Sequence, residues 1–66
     1  MLIGRIKHLE RSKGWGFIEA EDGDDYFFNV SNVRPGQDLR LGDSVKFDCR
    51  ESNRGPSAVN ILKIRY

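Results

Sequence analysis

Two aromatic runs carry the chemistry available to this chain. Lys13-Gly14-Trp15-Gly16-Phe17-Ile18 sets two rings two residues apart, each preceded by a glycine. In a β-strand, residues i and i+2 share a face. Trp15 and Phe17 then stand side by side, with Gly16 and Ile18 on the opposite face. The glycines are expected to leave the rings uncovered and to let another chain approach closely. Lys13 adds a cation beside the rings. Rings next to a cation form a surface on which a nucleobase stacks while its phosphate is neutralised. A Trp and a Phe in a small β domain are usually core, and this hexapeptide alone does not decide between core and surface. The second run, Tyr26-Phe27-Phe28, decides for the surface, because it follows a short acidic turn and can pair with the first run as an antiparallel neighbour.

The elements that must position these rings read as five strands. Residues 2–10 form the first, with Ile3, Ile6 and Leu9 alternating imperfectly and Gly4 a candidate bulge. Residues 15–20 form the second. Asp22-Gly23 is a hairpin signal, and residues 25–30 form the third strand. There Tyr26, Phe28 and Val30 are assigned to the core, Phe27 and Asn29 to the other face. A single helical turn capped by Ser31 is expected over Ser31-Asn32-Val33. The loop from Arg34 to Leu41 is broken by Pro35-Gly36. Residues 44–50 alternate cleanly, with Val45, Phe47 and Cys49 inward. Residues 57–65 form the last strand, with Val59 and Ile61 inward. No stretch holds a helical period. Five short strands separated by turn signals predict a small closed barrel, since closure removes exposed edges.

Length and composition narrow the function classes. Sixty-six residues are expected to make one domain. Such a chain buries only ~60% of its unfolded surface and has little room for a catalytic cleft. The single cysteine, Cys49, rules out an internal disulfide or a cysteine-rich metal site, and its place in strand four predicts a buried, inert thiol. Met1-Leu2-Ile3 runs straight into Gly4 and Arg5, unlike a signal peptide. No apolar run approaches the ~20 residues of a membrane span. The formal net charge is only +1, but Glu19, Glu21, Asp22, Asp24 and Asp25 crowd one segment. Outside it, eleven Lys and Arg face five acids, so a basic surface is compatible with the balance. His8, the one histidine, cannot form a catalytic or metal cluster alone, and no carboxylate pair or nucleophile–base pair stands out. Neither enzyme activity, a cofactor nor a small-molecule substrate is expected.

The order of features resembles the bacterial cold-shock protein family. The likeness runs through Gly4-Arg5-Ile6-Lys7, Lys13 to Ile18, Asp25-Tyr26-Phe27-Phe28-Asn29-Val30-Ser31, Leu41 to Phe47 and Asn53-Arg54-Gly55-Pro56-Ser57-Ala58-Val59-Asn60-Ile61. It covers nearly the whole chain. The resemblance implies an all-β, five-stranded antiparallel OB-type barrel that binds single-stranded RNA and DNA. Position by position it implies stacking by Trp15, Phe17 and Phe27, and polar contacts by Lys7, Lys13, Asp25 and Arg54. Three positions depart. The family usually has tryptophan where His8 stands, histidine at Asn29 and phenylalanine at Val30. His8 can still stack and Asn29 can still hydrogen-bond a base edge, but Val30 cannot stack. The loop from Arg34 to Leu41 also lacks an aromatic. Each stack is worth ~1–3 kcal/mol, so these changes weaken the platform. The expected protein is a cytoplasmic monomer acting as an RNA chaperone or as a regulator of transcription or translation. Its rival is a degenerate barrel whose aromatic patch meets a protein partner.

Overall fold

The computed structural model describes residues 1–53 and 55–64. Its strands are β1 (Leu2–Glu10), β2 (Trp15–Ala20), β3 (Asp25–Asn29), β4 (Ser44–Ser52) and β5 (Gly55–Lys63), with one 3₁₀ turn at Val30–Asn32. They close into a barrel in the order β1-β2-β3-β5-β4. Every pairing is antiparallel except β3 with β5, which run parallel where Phe27 meets Ser57. The expected five-stranded barrel is therefore present, closed through one short parallel seam.

The interior follows from strand alternation. Ile6, Ile18, Phe28, Val45, Phe47 and Ile61 are fully buried. Tyr26 packs its ring 5.2 Å from that of Phe47, and Leu39 reaches into the same cluster from the long β3–β4 connection. Two glycines let strands approach where a side chain would collide. A Cβ on Gly4 would lie 2.6 Å from the Glu19 carbonyl oxygen and 2.7 Å from Ile18 Cγ2. A Cβ on Gly16 would overlap the His8 carbonyl oxygen and lie 2.8 Å from the Phe28 ring. Gly16 is thus needed on the inner side, under Phe28. It does not open the rings to an approaching chain, as the sequence had suggested.

Bulges account for several differences from simple alternation. In β1, Ile6 pairs with Ile18 but His8 pairs with Phe17, so Lys7 is the extra residue, not Gly4. In β5, Leu62 pairs with Lys46 but Val59 pairs with Asp48, which leaves one extra residue beside Asn60 at φ +53°. That bulge turns Ala58 into the core in place of Val59, which is only half-buried. Cys49 is exposed rather than buried. The β1–β4 pairing ends at Phe47, so β4 beyond it pairs with β5 alone and the ribbon leaves the core. Val30 is also exposed, because β3 ends at Asn29 and the chain turns. The turn is capped by Asn29, whose Oδ1 accepts from the Ser31 N–H at 3.2 Å, and not by Ser31 itself. The last strand begins at Gly55 and ends at Lys63 instead of running from 57 to 65.

Asp43 ties the turn before β4 to the end of β5. Its Oδ2 accepts from the Arg40 N–H at 2.8 Å and lies 3.2 Å from Lys63 Nζ. The Arg40 N–H, seconded by the Lys63 ammonium, holds its carboxyl below the ordinary value of 3.8. The unfolded chain then binds the proton more tightly, so this stabilisation is full above that ordinary value and is lost as pH falls through the folded one. Asp43→Asn should therefore lower the Tm at pH 7, and the gap to the native protein should narrow in melts near pH 3. A gap of constant width would show that ionised Asp43 contributes nothing.

Candidate nucleic-acid interface

The outer face of β1-β2-β3 collects the rings. The β2–β3 register sets Trp15 opposite Asn29, Phe17 opposite Phe27 and Glu19 opposite Asp25. With a period of two, these six side chains share the outer face, while Ile18, Tyr26 and Phe28 turn inward. The bulge at Lys7 sends both Lys7 and His8 outward in succession and returns Leu9 to the core side. A regular strand would have put one of that pair inside.

The result is a cluster of four rings. Trp15 and Phe27 lie 6.0 Å apart and nearly parallel, at 28°. Phe17 stands edge-on to both, 5.8 Å from Trp15 and 5.7 Å from Phe27. His8 leans over the far side of Trp15, at 5.3 Å and 32°. Trp15, Phe17 and Phe27 are half-buried, and His8 is exposed. Edge-on and offset packing of this kind holds rings in place at little cost. The cluster is therefore a preformed surface with ring faces and edges available to a planar ligand.

The polar residues expected at the site divide. Lys7 Nζ lies 2.9 Å from Asp25 Oδ2, both groups being about half exposed. This bond raises the Lys7 pKa, so its ammonium stays charged, but Asp25 shares that charge. Lys13 is exposed in the turn that leads into Trp15. Asn29 is exposed and pairs in register with Trp15; its side-chain oxygen serves the cap, accepting from the Ser31 N–H. Arg54 lies outside the described residues.

Sequence reasoning missed two features. Glu10 Oε1 lies 3.1 Å from His8 Nε2; a pair at i and i+2 on one strand face was legible in principle. The second is a recess of about 220 Å³ at the end of the platform, lined by Leu9, Val30, Val33 and Leu39. Arg11 closes its rim by donating to the Leu39 carbonyl at 2.9 Å. No spacing in the sequence announces a recess built from three separate segments. Among the described residues, no three His, Cys, Asp or Glu side chains gather as a metal site. No helix there is long and apolar enough to cross a membrane.

Comparison with known proteins agrees with this geometry. The family model described as the 'Cold-shock' DNA-binding domain matches residues 2–64. The cold shock-like protein CspC of Bacillus cereus is 43% identical over 63 residues, covering 92% of this chain and 97% of its own. The cold shock protein CspD of Bacillus subtilis is 40% identical, covering 97% of this chain and all of its own. The major cold shock protein of Streptococcus pyogenes is 41% identical, with 97% and 98% covered. A solved structure titled drosophila Unr CSD456 superposes with a TM-score of 0.80 at 23% identity, over 97% of this chain and 26% of that one, a likeness of fold. By sequence, barrel topology and outer-face rings alike, this chain belongs to the cold-shock domain family, a family of domains that bind single-stranded nucleic acid.

Proposed function

We propose that this protein binds single-stranded RNA and DNA through the outer face of β1-β2-β3. The observation that carries the reading is the four-ring cluster of His8, Trp15, Phe17 and Phe27 on one face of the sheet. Bases stack on Trp15, Phe17 and Phe27, with His8 extending the surface at its edge. Lys13, and Lys7 in exchange for its bond to Asp25, meet phosphate, as does Arg54. Asn29 offers its NH₂ to a base edge. Because every base has a π-face, such a surface accepts many sequences. Binding only the single-stranded form shifts hairpins toward the open state by mass action. The biological role that follows is that of a monomeric cytoplasmic RNA chaperone or a regulator of transcription or translation.

The test is a titration with oligo-dT and oligo-U. Trp15 is the only tryptophan, so a base stacked on the platform should quench its emission. Affinity should also fall with salt, by a slope of about 0.7 in log K against log salt for each phosphate neutralised. Emission unchanged at saturating oligonucleotide, with binding confirmed by another probe, would remove Trp15 from the site. Binding that ignores salt would favour the protein-partner role for this patch.

A further inference from the structure

His8 is the single histidine of the chain, and the bulge at Lys7 turns it onto the ring cluster. Its centroid lies 5.3 Å from that of Trp15 and 6.5 Å from that of Phe17. Its Nε2 lies 3.1 Å from Glu10 Oε1, and both side chains are exposed to solvent. Histidine is the side chain whose charge ordinarily changes between about pH 5 and 8. With His8 neutral, the pair carries the negative charge of Glu10 at the edge of the platform, and an approaching phosphate meets it. With His8 protonated, the imidazolium balances Glu10 and sits within cation–π range of the indole. Both ring nitrogens are then donors, so one remains for a phosphate while the other faces Glu10.

We propose that His8 is a proton-coupled nucleic-acid contact: uptake of one proton cancels the Glu10 charge at the edge of the platform and adds an N–H donor for a phosphate, so single strands bind more tightly as pH falls. This rests on the outer face being the binding surface. The other groups around the ring do not mimic the effect. From β2 the facing side chains are Trp15 and Phe17, which carry no charge. On β1 the charged group against it is Glu10, and its chain neighbour Lys7 is paired with Asp25 of β3. Carboxyl and ammonium groups ordinarily titrate outside the histidine window, and Lys7 is shifted further from it.

The experiment uses the whole chain and labelled oligo-dT, whose base does not titrate in this range. Anisotropy titrations at about pH 5.5 and pH 8 are run at several salt concentrations for the native protein and for His8→Phe, which keeps a ring and loses the charge. The native protein should bind up to about fivefold more tightly at the lower pH, the strength of one exposed ion pair. Its salt slope should steepen by up to about 0.7. His8→Phe should show neither change. Equal native affinity at both pH values overturns the inference, as does an equal gain in His8→Phe, while in either case binding itself stands. No binding by either protein at any pH overturns both the inference and the reading on which it rests.

Discussion

Phe28→Ala is expected to unfold the domain at room temperature or leave it only marginally folded. The Phe28 ring is fully buried and packs against the backbone of Gly16, whose missing side chain makes its space. Truncating a buried phenylalanine costs ~3–5 kcal/mol, part lost transfer and part cavity. A chain of this length has about 3–10 kcal/mol in all. The ring also lines the recess under Leu39 and Val33, so its loss loosens the packing of the β3–β4 connection as well as the sheet. Urea unfolding and thermal melts followed by circular dichroism measure the effect. A Phe28→Ala protein melting within a few degrees of the native one would show that this ring does not hold the core.

The neighbouring substitution should act on binding instead. Phe27→Ala should weaken oligo-dT binding by ~1–3 kcal/mol, roughly fivefold to 150-fold, the worth of one stacked base. Its ring contacts Trp15 and Phe17 on the outer face and takes no part in the buried cluster. The native circular dichroism spectrum should persist, with a modest fall in Tm from the loss of ring–ring packing. The two variants together test the register of β3. If Phe27→Ala unfolds while Phe28→Ala folds and fails to bind, the strand is shifted by one and both faces are inverted.

These predictions separate what the sequence by itself determined from what the tertiary structure decided. Strand existence was legible because period-two alternation and turn residues are local. Trp15, Phe17 and Phe27 could be assigned to one face, and Ile18, Tyr26 and Phe28 to the other, from spacing alone, and the register of β2 with β3 agrees. Closure into a barrel was likewise legible from five short strands with no helical stretch, and the family from the ordered motifs.

The misplaced side chains arise where alternation is interrupted by a partner strand or by its absence. Lys7 and His8 both face outward only because β1 carries one more residue than β2 across that contact. Nothing in Ile6-Lys7-His8-Leu9 marks which residue is extra. Ala58 is buried and Val59 is not because β5 bulges at Asn60 against β4. Cys49 keeps the parity of Val45 and Phe47, yet β1 has ended beside it, and parity buries a side chain only where a layer lies across from it. Val30 keeps the parity of Phe28 but falls where β3 gives way to a turn. Gly16 falls, as its spacing predicts, on the face opposite the rings, but its role there was not legible. Only the packing of the Phe28 ring against it shows why that position has no side chain. Local pattern thus determined which residues can stack and which can fill a core, whereas long-range pairing decided that the bulge turns both Lys7 and His8 onto the ring face and that Asp25 stands beside Lys7.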